Sequence, residues 1–473
     1  MAALLLRTFS VASAALWLCA ADPGGAFADA RRPPNILFIL GDNLGTDWIG
    51  CYGSDDKATP YIDKLAAQGV RFTNCWMTAF CSTSRAAIWS GRYPSRTGWH
   101  VHHDAAIYGG GGFDAEHETT FARVLRDAGY ATGIFGKWQI NDLYSEPEAL
   151  TKAGFRRQFV WTGALVGSGN ASERFTATRG VAAGERALES RYWNPVVFDD
   201  GARRELHGKF GPDEFVAQLI DFAARNNERP FLAYYAAPFT HIPVTTTPSS
   251  RDEHAPERER FLGMLRHFDG QVGLLVGELE RLGLRNDTII VFTTDNGSVR
   301  KFGGRVGGKD VRGMMGTLAE VGLDVPLIVS CPSRVAQGRT SDALVDCVDF
   351  YATFVELAGA KMPSDQSYDG QSFIAELDDD PATCAPRSWQ FTEYAGVRTA
   401  GDGRYKLFSD HRLYDLRRDP LEEVNLLETT DLAPEARAAQ VTLQTAIDSI
   451  PKSVDLPFPP RSQSAFKLRG EKP

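Results

Sequence analysis

Cys81 begins the stretch CSTSRAAIWSG, in which a cysteine, hydroxyl residues and an arginine stand at the start of a short helical pattern. The N-terminus of a helix carries unpaired N–H groups and partial positive charge, so it favours a bound anion. Arg85 could hold that anion through two parallel hydrogen bonds, and a cysteine at such a place can have a lowered pKa. The alternative is that Cys81 is a small buried hydrophobic residue. The stretch therefore indicates either an anion site or a piece of core.

Two oxygen-rich pairs, Asp42-Asn43 and Asp295-Asn296, each follow a predicted strand. Ligands of open α/β sheets bind outside the carboxyl ends of the strands, so the two pairs can converge although they are far apart in the chain. Carboxylate and amide oxygens suit Ca²⁺ or Mg²⁺. Alternatively, each pair is simply the turn that ends a strand.

The elements that must position these residues are strands alternating with helices. This alternation predicts an α/β fold with a large, mixed, mostly parallel sheet flanked by helices. The predicted strands are residues 35–40, 131–135, 231–237, 288–292 and 325–330. The predicted helices follow Thr59 and Cys81 and cover residues 261–282 and 348–359. Residues 156–211 show no clear pattern and are interpreted as an insertion near the substrate entrance.

The composition shifts near residues 378–386, which are acidic and contain proline. Beyond them, GDGRYKLF and HRLYDL predict short antiparallel strands around a Gly-Asp-Gly turn. We therefore expect a main domain at residues 33–378 and a small α+β domain with a short antiparallel sheet at residues 385–473.

The ends and the charge of the chain limit its location and partners. Residues 1–30 combine Arg7, an apolar stretch and the small-residue sequences AFA and ADA, as is typical of a cleaved signal peptide. We therefore expect a periplasmic or secreted protein with no membrane span after cleavage. The net charge of −9 and the lack of a long basic run argue against a nucleic-acid partner. The 7 cysteines are too sparse for a disulfide scaffold.

Six segments, in order along the chain, resemble motifs of the sulfatases of the alkaline-phosphatase superfamily. They are PNILFILGDNLG, CSTSRAAIWSGRYPSRTG, GYATGIFGKWQI, AAPFTHIPV, TIIVFTTDNG and LYDLRRDPLEEVNL. Together they extend over nearly the whole chain after the signal region. The resemblance implies an alkaline-phosphatase-like fold and a formylglycine-dependent (type I) sulfatase activity.

The resemblance also implies a role for each matched residue. Cys81 would be oxidised to formylglycine by a formylglycine-generating enzyme and hydrated to a diol, one hydroxyl of which attacks the sulfur of a sulfate ester. The implied ligands of Ca²⁺ or Mg²⁺ are Asp42, Asn43, Asp295 and Asn296. Arg85 would stabilise the formylglycine, Lys137 would bind the sulfate or the diol, and His241 would contact the sulfate or assist the leaving oxygen. The implied substrate is a sulfated small molecule or glycan.

Four positions depart from the family pattern. Thr83 stands where the signature normally has proline, and Asn43 replaces the second aspartate of the first metal motif. Gln139 replaces a histidine two residues after Lys137 and cannot take a proton, although it could still hydrogen-bond the substrate. Met315 occupies the place of a sulfate-binding lysine, so Lys309 or Arg312 is the alternative cation that we expect to bind substrate.

These observations favour a sulfuric ester hydrolase that acts on an aryl or carbohydrate sulfate. Two alternatives stay open. The first is a degenerate sulfatase-fold protein that binds a sulfated or anionic glycan without turnover. The second is a phosphoryl or phosphonate ester hydrolase, because that chemistry shares the superfamily's metal and anion sites.

Overall fold

A large mixed sheet with helices on both faces dominates the computed structural model, which describes residues 32–105, 111–163, 190–378 and 387–454. The predicted signal peptide lies outside the described residues. The strands of this sheet are β1 (Asn35–Gly41), β2 (Val70–Trp76), β3 (Ala131–Lys137), β4 (Arg157–Trp161), β5 (Val196–Asp199), β6 (Ala202–Glu205), β7 (Phe231–Ala236), β8 (Thr288–Thr294), β11 (Leu327–Ser330) and β12 (Arg339–Asp346). A separate two-strand hairpin consists of β9 (Arg305–Val306) and β10 (Lys309–Asp310).

The strand order is β12-β2-β11-β8-β1-β7-β3-β4-β5-β6. The five central strands β8-β1-β7-β3-β4 run parallel to one another, while β11, β5 and β6 pair antiparallel to their neighbours. The predicted fold class is therefore confirmed. In the central block, all carboxyl ends meet at one edge of the sheet, where a ligand site is expected.

Each face of the central strands buries its own hydrophobic core. Ile36 and Phe38 of β1 point into one core and Leu37 and Ile39 into the other, as the two-residue period of a strand requires. Strands buried on both faces read as continuous apolar runs, which is why β1 and β8 were predictable.

The helices cover both faces of the sheet. Their bounds are α1 (Pro60–Ala67), α2 (Cys81–Ser90), α3 (Pro94–Thr97), α4 (Phe121–Asp127), α5 (Ala149–Lys152), α6 (Gly211–Arg225), α7 (Glu257–Arg281), α8 (Glu320–Leu323), α9 (Asp349–Leu357) and α10 (Pro434–Ser449). Buried residues of α2, α4, α9 and α10 belong to one core, and those of α1, α6 and α7 to the other. Among the described residues, no helix is long and apolar enough to cross a membrane.

The C-terminal region carries an antiparallel sheet in the order β13-β14-β15-β16. Its strands are β13 (Gln390–Tyr394), β14 (Val397–Gly401), β15 (Tyr405–Phe408) and β16 (Arg412–Asp415). Gly403, at a φ of 82°, lies in the turn between β14 and β15, so the predicted Gly-Asp-Gly hairpin is present. Phe391 and Leu407 join the core that α2 and α9 bury.

The structure corrects one interpretation of the sequence. Within the described part of residues 156–211, β4 is an inner strand of the main sheet rather than part of an insertion, and β5 and β6 extend that sheet to its edge. β4 begins with Arg157 and Gln158, and β6 is exposed along its length. Neither segment therefore shows the apolar run or the clean alternation by which strands are identified.

Candidate active site

The candidate site lies at the carboxyl edge of the five parallel strands, each of which delivers at least one polar or aromatic residue. In strand order these are Asp295 and Asn296 after β8, Asp42 and Asn43 after β1, His241 after β7, Lys137 at the end of β3, and Trp161 at the end of β4. The strand register fixes their order across the edge, because Gly41 pairs with Thr294 and Lys137 pairs with Trp161.

The two oxygen-rich pairs come together as the topology requires. The backbone N–H of Asn43 donates to Asp295 Oδ1 at 3.3 Å, and Asn296 Nδ2 donates to Asn43 Oδ1 at 2.7 Å. Asn43 has a φ of 60°, a left-handed conformation that asparagine adopts more readily than most residues. The tight turn after β1 thus accounts for the conformation of Asn43.

Cys81 is the first residue of α2 and is almost completely buried. Its Sγ, a carboxylate oxygen of Asp42 and a ring nitrogen of His241 all lie within 4.8 Å of one another. Burial raises the pKa of the Cys81 thiol to about 11, and the carboxylates of Asp42 and Asp295 oppose ionisation further against the attraction of Lys137. The thiol is therefore protonated at neutral pH, which is the opposite of the lowered pKa suggested by the helix N-terminus.

Two buried cations hold the carboxylates. Arg85 donates from Nε and Nη2 to Asp295 Oδ2 at 3.0 and 2.7 Å, and its Nη1 donates to the carbonyl oxygen of Lys137 at 3.1 Å. Lys137 Nζ donates to Asp42 Oδ2 at 2.5 Å. Arg85 Nη2 is also 3.7 Å from Asp42 Oδ2. The four charges form one connected network beside Cys81.

The two carboxylates respond differently to this environment. Burial opposes the charge of Asp42, but Lys137, His241 and Arg85 together lower its pKa to about 2. Burial and the negative charge of Asp42 raise the pKa of Asp295 to about 6 despite Arg85 and Lys137. Arg85 and Lys137 thus match the two carboxylates in number but do not offset the burial of Asp295 and its repulsion by Asp42.

The donor set fits a hard divalent cation. Within the described part of the chain, Asp42 Oδ1 and Asn296 Oδ1 are buried oxygens without a hydrogen-bond partner. Buried polar atoms are normally satisfied, and two such oxygens from neighbouring strands, with excess carboxylate repulsion, are what Ca²⁺ or Mg²⁺ would neutralise. The residues present therefore suit the cation that the sequence predicts at this place.

Replacing Arg85 with methionine is expected to lower the free energy of unfolding by about 3–5 kcal/mol, because removing one partner of a buried ion pair leaves an uncompensated charge. The raised pKa of Asp295 would rise further in this variant. The loss should therefore be larger at pH 8 than at pH 5, where protonation removes that charge. Urea unfolding in a chelating buffer measures both values.

The matched control is Arg225→Met, which breaks an exposed i,i+4 pair with Asp221. Exposed pairs contribute about 0–1 kcal/mol, so the control should change little. Equal losses in the two variants would contradict the proposed importance of the buried network.

His241 is held by the loop after β7. Its Nδ1 lies 2.5 Å from the carbonyl oxygen of Ile242, so Nδ1 carries the hydrogen and Nε2 carries the lone pair. Tyr192 Oη lies 2.7 Å from the carbonyl oxygens of both Pro238 and His241, which fixes the loop. Burial, together with the positive charges of Arg191 and Lys137 and against the attraction of Asp42, lowers the pKa of His241 to about 3. His241 is therefore neutral here and accepts through Nε2.

Gln139 faces Cys81 directly. Its Nε2 donates to Cys81 Sγ at 3.1 Å, and its Oε1 is buried without a partner among the described residues. Its φ of 78° shows that the chain makes a sharp turn after β3 to bring this side chain into the site. Gln139 thus occupies a position from which a histidine could exchange a proton with the residue at position 81.

Thr83 and Met315 are accommodated differently. Thr83 Oγ1 donates to the carbonyl oxygen of Phe80 at 2.8 Å within the first turn of α2. The backbone N–H of Met315 donates to the carbonyl oxygen of Ser298, and that of Gly316 donates to the carbonyl oxygen of Ala79. These bonds fasten the Met315 segment between the loop that follows Asn296 and the approach to Cys81.

Lys309 is a predicted substrate-binding residue that the structure does not bring to the others. It is exposed on strand β10 of the two-strand hairpin. Within the described residues, no hydrogen bond or ion pair joins it to Cys81, Lys137 or His241. Its role in binding stays a prediction.

Two residues near the site, Arg191 and His102, are not among the catalytic, metal-binding or substrate-binding residues predicted from the sequence. His102 Nδ1 lies 3.2 Å from Ser82 Oγ, and its ring lies 5.0 Å from that of Phe80. Burial and the charges of Lys137 and His103 lower the pKa of His102 to about 3. The signal for His102 was its place in the histidine-rich stretch HVHH, whereas Arg191 has no sequence signal at all.

Comparison with known proteins gives the family. Residues 34–360 match the Sulfatase family, and residues 314–449 match the C-terminal region of N-sulphoglucosamine sulphohydrolase. The steryl-sulfatase of Mus musculus is 30% identical over 440 residues, covering 79% of this chain and 69% of that protein. The N-acetylgalactosamine-6-sulfatase of Canis lupus familiaris is 30% identical over 386 residues, covering 78% and 71%.

Solved structures share the fold. The crystal structure of Ps i-CgsB has a TM-score of 0.72 at 23% identity and covers 88% of this chain and 92% of its own. A structure in complex with its substrate, D-glucosamine-2-N,6-O-disulfate, has a TM-score of 0.68 at 19% identity and covers 93% and 100%. The family match extends over most of the chain and contains the assembled site, so this chain belongs to the sulfatase family, whose members hydrolyse sulfate esters.

Proposed function

We propose that this chain cleaves sulfate from an aryl or carbohydrate sulfate ester, using formylglycine made from Cys81 and a divalent cation. The observation that carries the proposal is the position of Cys81 at the start of α2, with its Sγ, an Asp42 oxygen and a His241 nitrogen within 4.8 Å of one another. The protonated thiol supports it too, because a cysteine with a pKa of about 11 is a poor nucleophile until it is converted.

Each residue has a definite task in this proposal. Formylglycine supplies, once hydrated, the oxygen nucleophile that attacks sulfur. Lys137 and Arg85 place positive charge beside position 81, and the N-terminus of α2 adds its N–H groups toward the sulfate. When a bound anionic substrate raises the pKa of the His241 ring, Nε2 takes a proton from solvent water. The ring then donates this proton to the leaving oxygen as the S–O bond of the ester breaks.

The cation would be held by Asp42, Asn43, Asp295 and Asn296. When bound, Ca²⁺ or Mg²⁺ supplies Lewis-acid stabilisation of the sulfate oxygens and makes the nucleophile more acidic. Affinity rises with the number of carboxylates, so we expect the two carboxylates and two amides of this site to bind the cation more weakly than a three-carboxylate site would.

The setting of the reaction follows from the same proposal. The signal-like residues 1–30 would direct the chain to the periplasm or the outside of the cell, and a formylglycine-generating enzyme would act on Cys81 during export. Residues 33–378 would form the catalytic domain and residues 385–473 the small C-terminal domain. Similarity to a GalNAc-6-sulfatase favours a sulfated sugar as substrate.

Replacing Thr83 with proline is expected to increase the fraction of chains that carry formylglycine, because proline is the residue of the family signature at this position. The structure favours acceptance of this change. Thr83 lies in the first turn of α2, where a backbone N–H has no partner within the helix and proline is tolerated. Mass spectrometry of the Cys81 peptide after coexpression with a formylglycine-generating enzyme measures the fraction.

Glu435→Pro is the control, because it places proline in the first turn of α10, outside the signature, and should leave the fraction unchanged. A lower fraction in Thr83→Pro than in the parent chain would contradict the expectation.

The experiment that tests the proposed function is an assay of the converted chain against four substrates. These are p-nitrophenyl sulfate, N-acetylgalactosamine 6-sulfate, a phosphodiester and a phosphonate monoester. We expect sulfate release that requires Ca²⁺ or Mg²⁺ and stops on chelation. Turnover of only the phosphorus esters, or glycan binding without any product, would overturn the proposal in favour of one of the alternatives.

A further inference from the structure

Arg191 is a buried arginine that has no ion-pair partner among the described residues. Its residue is 5% exposed, yet none of the ion pairs or side-chain hydrogen bonds in the described ranges involves its guanidinium. Burying an unpaired charge is costly. The other buried arginine of the site, Arg85, is paired with Asp295, so Arg191 is the guanidinium left with binding capacity for an anion.

Arg191 lies at the same edge of the sheet as the candidate site. Its Cζ is 4.2 Å from the ring centroid of Trp161, and Trp161 pairs in register with Lys137. The next residue, Tyr192, lies with its Oη 2.7 Å from the carbonyl oxygen of His241. Arg191 is therefore linked to Lys137 through Trp161, and to His241 through the adjacent Tyr192.

The strand order separates Arg191 from the metal-type pairs. Those pairs follow β8 and β1, whereas Trp161 ends β4, on the far side of β7 and β3. The carboxylates beside Cys81 are already paired with Arg85 and Lys137. Arg191 thus extends the positive charge of the site past Lys137, on the side away from the oxygen-rich pairs.

We propose that Arg191 binds a second anionic group, a carboxylate or a second sulfate, on the saccharide that carries the scissile sulfate, either on the same sugar or on its neighbour. The inference rests on the proposed function. The planar guanidinium offers two parallel donors that match either oxyanion, and stacking on Trp161 holds its plane fixed. The substrate class would be a doubly anionic saccharide rather than a neutral aryl or steryl sulfate.

Binding without turnover tests the proposal in the full-length Cys81→Ala chain by isothermal titration. Two doubly charged probes carry the second group as sulfate or as carboxylate: D-glucosamine-2-N,6-O-disulfate and the unsaturated disaccharide of chondroitin 6-sulfate. Their singly charged counterparts are N-acetylglucosamine 6-sulfate and N-acetylgalactosamine 6-sulfate. We expect at least one doubly charged probe to bind more tightly, and Arg191→Gln to weaken that probe by about 10- to 100-fold.

The controls separate a second-anion site from other roles. Arg191→Gln should change the affinity for the singly charged probes and for inorganic sulfate by less than about threefold, within the scatter of unrelated surface changes. Arg191→Lys keeps the charge but not the two parallel N–H donors, so it should give an intermediate loss of affinity. If Arg191→Gln has a lowered melting temperature, the comparison rests on the lysine variant. Arg204→Gln, at an exposed arginine, should have no effect.

Three results would overturn the inference: no preference of the parent chain for either doubly charged probe, an unchanged preference in both Arg191 variants, or an equal loss for all probes including inorganic sulfate. The last result would assign Arg191 to the scissile sulfate. Because no turnover is needed, failure of the proposed sulfatase mechanism would appear separately, in the activity of the chain that retains Cys81.

Discussion

Replacing Cys81 with alanine is expected to lower kcat for sulfate release by about 10⁴- to 10⁶-fold, the range found when a covalent nucleophile is removed. In the proposed mechanism the nucleophile is formylglycine made from Cys81, so without that side chain Lys137, Arg85 and His241 would have no reacting atom to act on. The fold should survive, because alanine is a good helix former at the start of α2. A steady-state assay with p-nitrophenyl sulfate measures the loss.

Cys331→Ala is the matched control. Cys331 is also a buried free cysteine, but it lies at the end of β11, where its Sγ donates to the carbonyl oxygen of Asn286. Activity of the control should stay within about twofold of the parent, as for a change far from the reacting atoms. Retained sulfate release in Cys81→Ala would show that another residue carries the reaction.

Replacing Gln139 with histidine is expected to raise kcat by about 10²- to 10⁴-fold, the usual contribution of a positioned general base. Gln139 Nε2 already lies 3.1 Å from Cys81 Sγ, so a ring at this position would be within reach of the residue at position 81. Histidine also tolerates the left-handed backbone found here. A burst of alcohol release in the parent chain, stoichiometric with enzyme, should disappear in Gln139→His if slow expulsion of sulfate limits turnover.

Gln139→Leu tests whether the gain comes from proton transfer. Leucine fills a similar volume without a basic nitrogen, so its rate should not exceed that of the parent. Equal rates for the histidine and leucine variants would contradict a base at this position. The same result would make His102, whose Nδ1 lies 3.2 Å from Ser82 Oγ, the next residue to test by substitution.

Much of the fold was predictable because its central strands are buried on both faces. β1 and β8 read as unbroken apolar runs, and α7 shows one apolar face over many turns, so its observed extent Glu257–Arg281 differs from the prediction only at the ends. β4 was missed because an inner strand can begin with polar residues when its side chains find local partners. Arg157 bonds to Asp199 and Gln158 to Thr151, and these contacts exist only after folding.

The candidate site, like the fold, could be predicted from the sequence only in part. Convergence of Asp42-Asn43 with Asp295-Asn296 follows from topology alone, because β1 and β8 are parallel neighbours. The protonation of Cys81 could not be predicted, because the helix N-terminus and burial act in opposite directions and only the structure shows that burial dominates. Arg191 was invisible in the sequence, since its significance lies in the absence of a partner within the described residues and in its contact with Trp161.

Two of the four positions that depart from the family pattern, Asn43 and Met315, change the charge of the candidate site in opposite directions. Relative to the family pattern, Asn43 would remove one negative charge from the proposed metal site, and Met315 would remove one positive charge from the proposed sulfate site. Asp42 and Asp295 are then matched by Arg85 and Lys137, and a divalent cation together with Arg191 would leave the site strongly positive. Such a site should attract a substrate with more than one negative charge.

The most direct test of the proposed mechanism is the mass of the peptide that contains Cys81, measured on protein purified from its native host. We expect this peptide to carry the mass of formylglycine in a substantial fraction of chains, and the sulfatase activity of preparations to rise in proportion to that fraction. An unmodified cysteine in every chain of a preparation that still releases sulfate would contradict the central claim.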